Sequence, residues 1–255
     1  MNTMSIKYFA KKMVKRLKMI NHIPPSADAE MEAQLASFLN MQGVNRFAAD
    51  EVQKRFIKDE NTAETYFDAH YIYHPAWAAR ILHNLTPTKH IDISSTLHFC
   101  TLLSAFMPVE FYDFRPAPLQ LTNLFCGSAD LTSLHFNSGT ITSLSCMHTV
   151  EHVGLGRYGD PLDPDGDIKA MQELQRVLAP GGNLLFVVPV GKPKIFFNAH
   201  RIYSYEMIRE NFAGLICKDF SLVDDAGKLQ SPCNPALVAE QAYGCGCFWF
   251  QKPVT

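Results

Sequence analysis

The sequence is poor in the features that settle a protein's class quickly. Its 255 residues hold no uninterrupted apolar run of the length a membrane-spanning helix needs, roughly 20 residues. Neither sign of charge dominates: 23 Lys and Arg stand against 25 Asp and Glu, for a net charge of -2, which gives no basic excess for nucleic acid. The seven cysteines, Cys100, Cys126, Cys146, Cys217, Cys233, Cys245 and Cys247, never form C-x-x-C, and several sit inside apolar runs. A disulfide or zinc-ribbon framework is thereby disfavoured, and a reducing cytoplasm is expected. Internal repeats and low-complexity segments are also missing. What remains, 47% hydrophobic and 19% charged, is an ordinary globular composition, enough for one α/β domain with a helical attachment or for two small domains.

The first 24 residues are different. Ile6, Phe9, Met13, Leu17 and Ile20 recur at helical spacing among Lys7, Lys11, Lys12, Lys15, Arg16 and Lys18, with no acid, and Pro24 and Pro25 follow. The pattern predicts a basic amphipathic helix over 1–24. It has two readings: residues 5–20 lie on an anionic membrane surface, placing the protein at the inner face of the membrane, or the helix packs on the domain with a solvated basic face. A helical extension over 25–87 is expected next, from "DAEMEAQLASFLNMQ", "AADEVQKRFIKDE" and "HPAWAARILHNL", with Pro75 in a first helical turn.

From residue 88 to 255 the texture is α/β. Short apolar runs at 89–93, 109–114, 121–126, 141–147 and 183–189 read as strands. "DIKAMQELQRVLAPGG" reads as a helix capped by Asp167 and stopped by Pro180-Gly181-Gly182, and "SYEMIRENFAG" as one capped by Ser204. Strands alternating with helices predict a mostly parallel sheet covered on both faces. "GCGCFWFQKP" is expected as an antiparallel last strand at the sheet's end.

The order of elements now carries a likeness. A strand ending in Asp92, a second ending in Asp113, "ADL" at Asp130, and then "MHTVEHV" followed by "ELQRVLAPGGNLLFVVP" resemble the class I S-adenosylmethionine-dependent methyltransferases over residues 88–251. The chain is also similar to an uncharacterised methyltransferase-like family first described from nematode proteins and found in bacteria. The resemblance implies a Rossmann-like fold with a seven-stranded sheet, and S-adenosylmethionine as cofactor. Asp113, 21 residues after Asp92, would accept from the ribose hydroxyls, and Asp92 would stand near the methionine portion. Asp130 and Leu131 would meet the adenine, with Ser94, Ser95 and Met147 completing the cofactor site. One departure is evident. Where the family has a glycine-rich turn, this chain has Ser94, Ser95, Thr96, Leu97 and His98; the serines permit a tight turn, while Thr96 and Leu97 crowd it.

Residues 148–152 spell H-x-x-E-H, a zinc signature when both histidines share one face of a continuous helix. Here the motif follows a strand directly, and Gly154 and Gly156 come within a turn, so no metal ligands are assigned. "DPDGD" at 163–167 has its glycine one step too early for an EF-hand. On the resemblance, His148 is the first candidate base for an oxygen acceptor, with His152 and Asp160 in reserve. Arg157, Tyr158, His200, Arg201 and Tyr203 are expected around the acceptor, a small molecule or a glycan of cell-surface polysaccharide synthesis. Two alternatives stand beside this one: a catalytically silent binding or scaffold domain of the same fold, and a zinc hydrolase using His148 and His152.

Overall fold

The computed structural model describes residues 25–41, 47, 52–57 and 59–254. The basic helix expected over 1–24, with its membrane contact through 5–20, lies outside the described residues. Among the described residues no helix is long and apolar enough to cross a membrane.

The chain divides into two compact units, residues 1–67 and 68–255. The first contains helix α1 (Pro25–Leu39) and an exposed Lys54–Glu32 ion pair at 2.8 Å. Residues 52–57, expected to be helical, take no regular structure. A run this short holds a helix only through a packed face, and Gln53, Lys54, Arg55 and Ile57 are exposed.

The second unit starts 20 residues before the expected boundary at 87/88, because helix α2 (Ala69–Leu85) belongs to it. Asp68 caps α2 by accepting from the amides of His70 and Tyr71 at 3.1 and 3.5 Å. Pro75 therefore falls inside the helix and not in its first turn, where it withholds a donor from the Tyr71 carbonyl. Trp77, Ala78 and Leu82 of α2 are buried in one apolar cluster with Phe99, Phe111, Leu185, Val187 and Val223. This helix covers a face of the sheet, which is why it cannot be a detachable extension.

The remaining elements are β1 (His90–Ile93), α3 (Leu97–Leu103), β2 (Val109–Asp113), β3 (Leu124–Ser128), β4 (Ile141–Met147), α4 (Gly166–Val177), β5 (Leu178–Val190), β6 (Lys194–Phe196), β7 (His200–Ile202), α5 (Tyr205–Asn211), β8 (Ile216–Val223), β9 (Leu229–Gln230) and β10 (Gly244–Gln251). The main sheet runs β3-β2-β1-β4-β5-β10-β8-β9, eight strands where seven were expected, the extra one being the two-residue β9 at the edge. Strands β1 to β5 pair in parallel, and β10 and β8 are antiparallel to their neighbours. Leu184, Phe186 and Val188 of β5 enter the core with α4 and α5, while Leu185 and Val187 point to the α2 side, the alternation of a strand buried on both faces.

Two local expectations are corrected. Strand β10 lies between β5 and β8, not at the sheet's end. Its first five residues are all buried, as an interior strand requires. The Pro-Gly-Gly stretch does not follow a helix as a loop; α4 ends at Val177 and β5 passes directly through Pro180, Gly181 and Gly182. Gly181 takes φ +74°, and the pairing of β4 with β5 shifts register there, so the glycines make a bulge inside a strand.

Chain direction across the sheet reverses between β1 and β4, since β2 and β3 lie on one side of β1 and β4 on the other. In an open sheet this switch, beyond the carboxyl ends of the strands, is where ligands gather. The turn after β1, the end of β2 and the segment after β4 all meet there.

Candidate functional site

The turn after β1 achieves with serine what the sequence lacks in glycine. Ser94 takes φ +56°, a left-handed conformation that costs a side-chain-bearing residue roughly 1 kcal/mol or more. Its amide donates to the Tyr112 carbonyl at 2.7 Å and its hydroxyl to the same oxygen at 3.3 Å. Thr96 and Leu97 do not crowd the turn. Thr96 Oγ1 accepts from the Phe99 amide as the N-cap of α3, and Leu97 is exposed. Beneath the turn, Asp92 Oδ1 accepts from the Ser95 amide at 3.0 Å, and Ser95 Oγ accepts from the Met147 amide at 3.1 Å. Asp92 is fully buried, its Oδ2 has no partner among the described residues, and burial pushes its carboxyl up to about 7 against the lowering effect of the Ser95 hydrogen bonds.

Above this turn lies a cavity of about 400 Å³. Ser94, Asp113, Arg115, Asp130, Leu131 and Thr132 line it from the strand ends, and His148, His152, Tyr158 and Asp160 from the segment after β4. Asp113 Oδ1 accepts from the Arg115 amide at 2.7 Å, and Asp130 Oδ1 from the Thr132 amide and hydroxyl at 2.8 and 2.7 Å. These short bonds fix both carboxylates on the wall. The Arg115 guanidinium rests 4.6 Å from the centre of the Tyr158 ring, tying the strand side of the cavity to its far side.

A second cavity, about 490 Å³, adjoins the first and shares His148, His152 and Tyr158 with it. Tyr71, Glu151, Arg157, Asn198, Ala199, His200 and Tyr243 complete its lining. Rings pave it. Tyr71 and His70 stack on His148 at 5.4 and 5.6 Å, and Tyr243 lies 5.1 Å from His70 and 5.0 Å from His200. Burial keeps His200 and His74 below the ordinary imidazole range and pushes Tyr71 up to about 12, so these groups are neutral at pH 7.

Where the cavities meet, the two histidines are not equivalent. His148, at φ +55°, donates from Nδ1 to Glu151 Oε1 at 2.9 Å, and its Nε2 is enclosed. Glu151 is buried, and although burial alone would raise its carboxyl, the hydrogen bond that His148 donates brings it below the usual range. His152 Nδ1 lies 2.6 Å from the Ala199 carbonyl, which can only accept, so the proton is on Nδ1 and the lone pair on Nε2. That Nε2 stands 3.7 Å from Glu151 Oε1. Burial depresses the His152 imidazole, against the pull of Glu151, leaving it neutral. A neutral imidazole with its Nε2 lone pair free, and a carboxylate 3.7 Å from that same nitrogen, can take a proton and have the resulting charge stabilised. His148, packed against the rings of Tyr71, His70 and His74, is a support for Glu151.

Residues 133–221 match the family described as "Caenorhabditis protein of unknown function, DUF268". Among solved structures, the Burkholderia thailandensis 1,6-didemethyltoxoflavin-N1-methyltransferase, crystallised with 1,6-didemethyltoxoflavin and S-adenosylhomocysteine, is 13% identical, with 71% of this chain and 79% of that one aligned at a TM-score of 0.50. The protein has the class I methyltransferase fold. A S-adenosylmethionine-dependent methyltransferase from Methanosarcina mazei is also similar, at 16% identity, 69% and 98% coverage and a TM-score of 0.45. No curated protein matches the chain by sequence.

On this methyltransferase fold the residues expected at the site separate into groups. Ser94, Asp113, Asp130 and Leu131 line the strand-end cavity, whereas Asp92, Ser95 and Met147 are buried and do not line it. Arg157, Tyr158 and His200 line the ring-paved cavity. Arg201 and Tyr203, expected there too, are buried elsewhere: Arg201 donates to the Val153 and Pro164 carbonyls at 2.6 and 3.2 Å, and the Tyr203 hydroxyl donates to Asp167 Oδ2 at 2.9 Å. They pin the 153–167 segment to β7 and cannot reach an acceptor. Asp167 is thus spent on Tyr203 and Arg201, and α4 begins without a side-chain cap.

Asp160 is a poor reserve base. Its two oxygens accept from the amides of Gly154, Gly156 and Tyr158, and these bonds outweigh burial and hold its carboxyl low. The H-x-x-E-H zinc arrangement also fails, because Val150–His152 is a single 3-10 turn and His148, at φ +55°, lies outside any helix, so the two histidines do not share a helix face. Asp163 pairs with Lys169 at 2.6 Å and does not build a cation loop.

Tyr71, Tyr243, Asn198 and Ala199, together with His70 and His74 behind His148, were not expected. "HYIYH" at 70–74 carried a signal: in a helix, His70, Tyr71 and His74 fall on one side.

Proposed function

We propose that the protein is an S-adenosylmethionine-dependent methyltransferase acting on an oxygen of a small polar acceptor, a sugar or glycan being the first class to test. The observation that carries this is the meeting of two cavities at His152: one at the strand ends of a class I methyltransferase fold, the other paved with neutral rings. The residues of the first suit the cofactor. Asp113 and Asp130 supply fixed acceptors for ribose hydroxyls and an adenine amino group, Ser94 lets backbone approach closely, and the volume falls within the range of small-molecule sites, about 300 to 1,000 Å³. When bound, the cofactor supplies an electrophilic methyl group on a sulfonium.

His152 Nε2 takes the proton of the acceptor hydroxyl as that oxygen becomes a nucleophile. Glu151 stabilises the imidazolium, and the Ala199 carbonyl keeps the ring in the productive tautomer. His148 is a positioning residue acting through Glu151. Arg157, donating to Ala199 at 3.1 Å and packed 5.2 Å from the Tyr158 ring centre, closes one side, and Tyr71, Tyr243 and His200 offer ring faces and polar tips of the kind that grip a sugar. Such an acceptor is consistent with a role in cell-surface polysaccharide synthesis.

The test is transfer of a labelled methyl group from S-adenosylmethionine across panels of nucleotide sugars, glycan oligomers, phenols and amines. Transfer to sugars or glycans, lost in His152→Ala, is expected. Cofactor binding with transfer only to another class would overturn the acceptor; no cofactor binding would favour a silent domain of this fold.

A further inference from the structure

His70, His148 and Cys245 bring one ligand-type atom each within 4.8 Å of one another, the only such group of three or more His, Cys, Asp or Glu found among the described residues. They come from three elements, α2, the segment after β4 and β10, and so are neighbours only in the folded unit. We propose that this trio binds Zn²⁺ and leaves its fourth coordination position facing the ring-paved cavity.

Four observations support the assignment. The donor set, two imidazoles and one thiolate, is of the kind zinc takes in sites that keep one position open. His148 is aimed by its other nitrogen: Nδ1 donates to Glu151 Oε1 at 2.9 Å, which puts the lone pair on Nε2, and Nε2 has no hydrogen-bond partner among the described residues although its side chain is only 3% exposed. A carboxylate behind a metal-binding histidine is the usual support of such a ligand, fixing its tautomer and raising its basicity. The setting is the third: the carboxyl group of Glu151 is buried beside the trio, where a divalent cation held by one thiolate offsets acidic groups kept from water. Access is the fourth, because Tyr71, His148 and Tyr243 line the ring-paved cavity. Bonds of about 2.0 to 2.3 Å set tetrahedral edges near 3.5 Å, so the trio closes by about 1 Å on binding. Binding displaces the Cys245 proton, so affinity rises with pH. This site differs from the H-x-x-E-H signature: His152 is outside it, and its existence does not depend on methyl transfer.

The experiment is titration of the whole, metal-stripped protein with Co²⁺ and then with Zn²⁺ against a chromophoric chelator. One equivalent of Co²⁺ is expected, with the visible bands of a tetrahedral site and a near-ultraviolet thiolate charge-transfer band, both bleached by Zn²⁺. Cys245→Ser should remove the charge-transfer band and His70→Ala should abolish stoichiometric binding, while His152→Ala should leave both intact. Glu151→Gln should weaken Zn²⁺ by about 10- to 100-fold. Each variant is compared only after its thermal unfolding without metal matches the parent. If Cys245→Ser does not fold, His70→Ala, on a partly exposed position, decides alone. A site that survives His70→Ala, one lost in His152→Ala, or binding below one equivalent overturns the proposal.

Discussion

The two cavities of this protein differ in how they are made. The strand-end cavity is walled by residues in sequence order at the ends of consecutive strands, Ser94, Asp113 and Asp130, each held by a hydrogen bond within its own turn or to its neighbouring strand. The ring-paved cavity is assembled from distant parts of the chain, Tyr71, Glu151, Ala199 and Tyr243, held by ring stacking and by a buried His–Glu–His line. The first depends on topology, which a fold family shares. The second depends on this chain's own side chains.

Four substitutions would break or sharpen that contrast. The largest effect is expected where the cavities join. His152→Ala should lower kcat by about 10² to 10⁴ while leaving S-adenosylhomocysteine affinity within about twofold, read by steady-state kinetics beside calorimetry. An equal loss in both would mean His152 belongs to the strand-end cavity alone.

Next is the support under the strand ends. Asp92, with its carboxyl raised to about 7, suffers no burial penalty below its unfolded value near 4, where it is protonated in both states; stability is then lost as pH rises from about 4 to 7, where the unfolded chain ionises and the buried group does not, and levels off above 7. Relative to Asp92→Asn, the ligand-free protein should lose up to about 4 kcal/mol between pH 4 and 8, measured by denaturant unfolding. A flat difference across that window would place Asp92 in a more polar setting than its burial indicates.

Asp113→Ala should weaken S-adenosylhomocysteine by about 10- to 100-fold, the worth of a charged hydrogen-bond acceptor, with the unliganded fold intact. Ser94→Gly should be the mildest. Relief of the left-handed strain, partly offset by unfolded-chain entropy, predicts a gain of less than about 1 kcal/mol in thermal unfolding and no loss of cofactor affinity.

The same contrast explains what could be read from the sequence. Strands β1, β2 and β4, the Ser204 cap and the position of Asp113 rest on local signals: apolar runs, a capping residue, a strand-end acid. Asp92 is a strand-end acid of the same kind and Ser95 was expected from the family resemblance, yet whether a strand-end side chain faces the cavity or lies beneath it depends on the turn. Here Ser94 at positive φ tucks Ser95 and Asp92 under the turn. The interior place of β10 was less legible, since a fully apolar strand announces burial without naming its neighbours. Arg201 and Tyr203 look like acceptor-binding residues in one dimension, and only the return of Asp167 and Val153 against β7 shows them spent on structure. The role of α2 was hidden because nothing in "AHYIYHPAWAARILHNL" says which sheet face it will cover, or that His70 will meet His148 and Cys245.

The central claim is that the serine-built turn still serves a working cofactor cavity. Calorimetric titration of the purified protein with S-adenosylhomocysteine, paired with thermal unfolding, tests it most directly. One equivalent should bind, and ligand at 100 times its Kd should stabilise the protein by about 2.7 kcal/mol, roughly 5 to 11 °C for a unit of this size, with both effects cut sharply in Asp113→Ala. No binding heat and no shift in a folded wild-type protein would contradict the account and leave the strand-end cavity without its ligand.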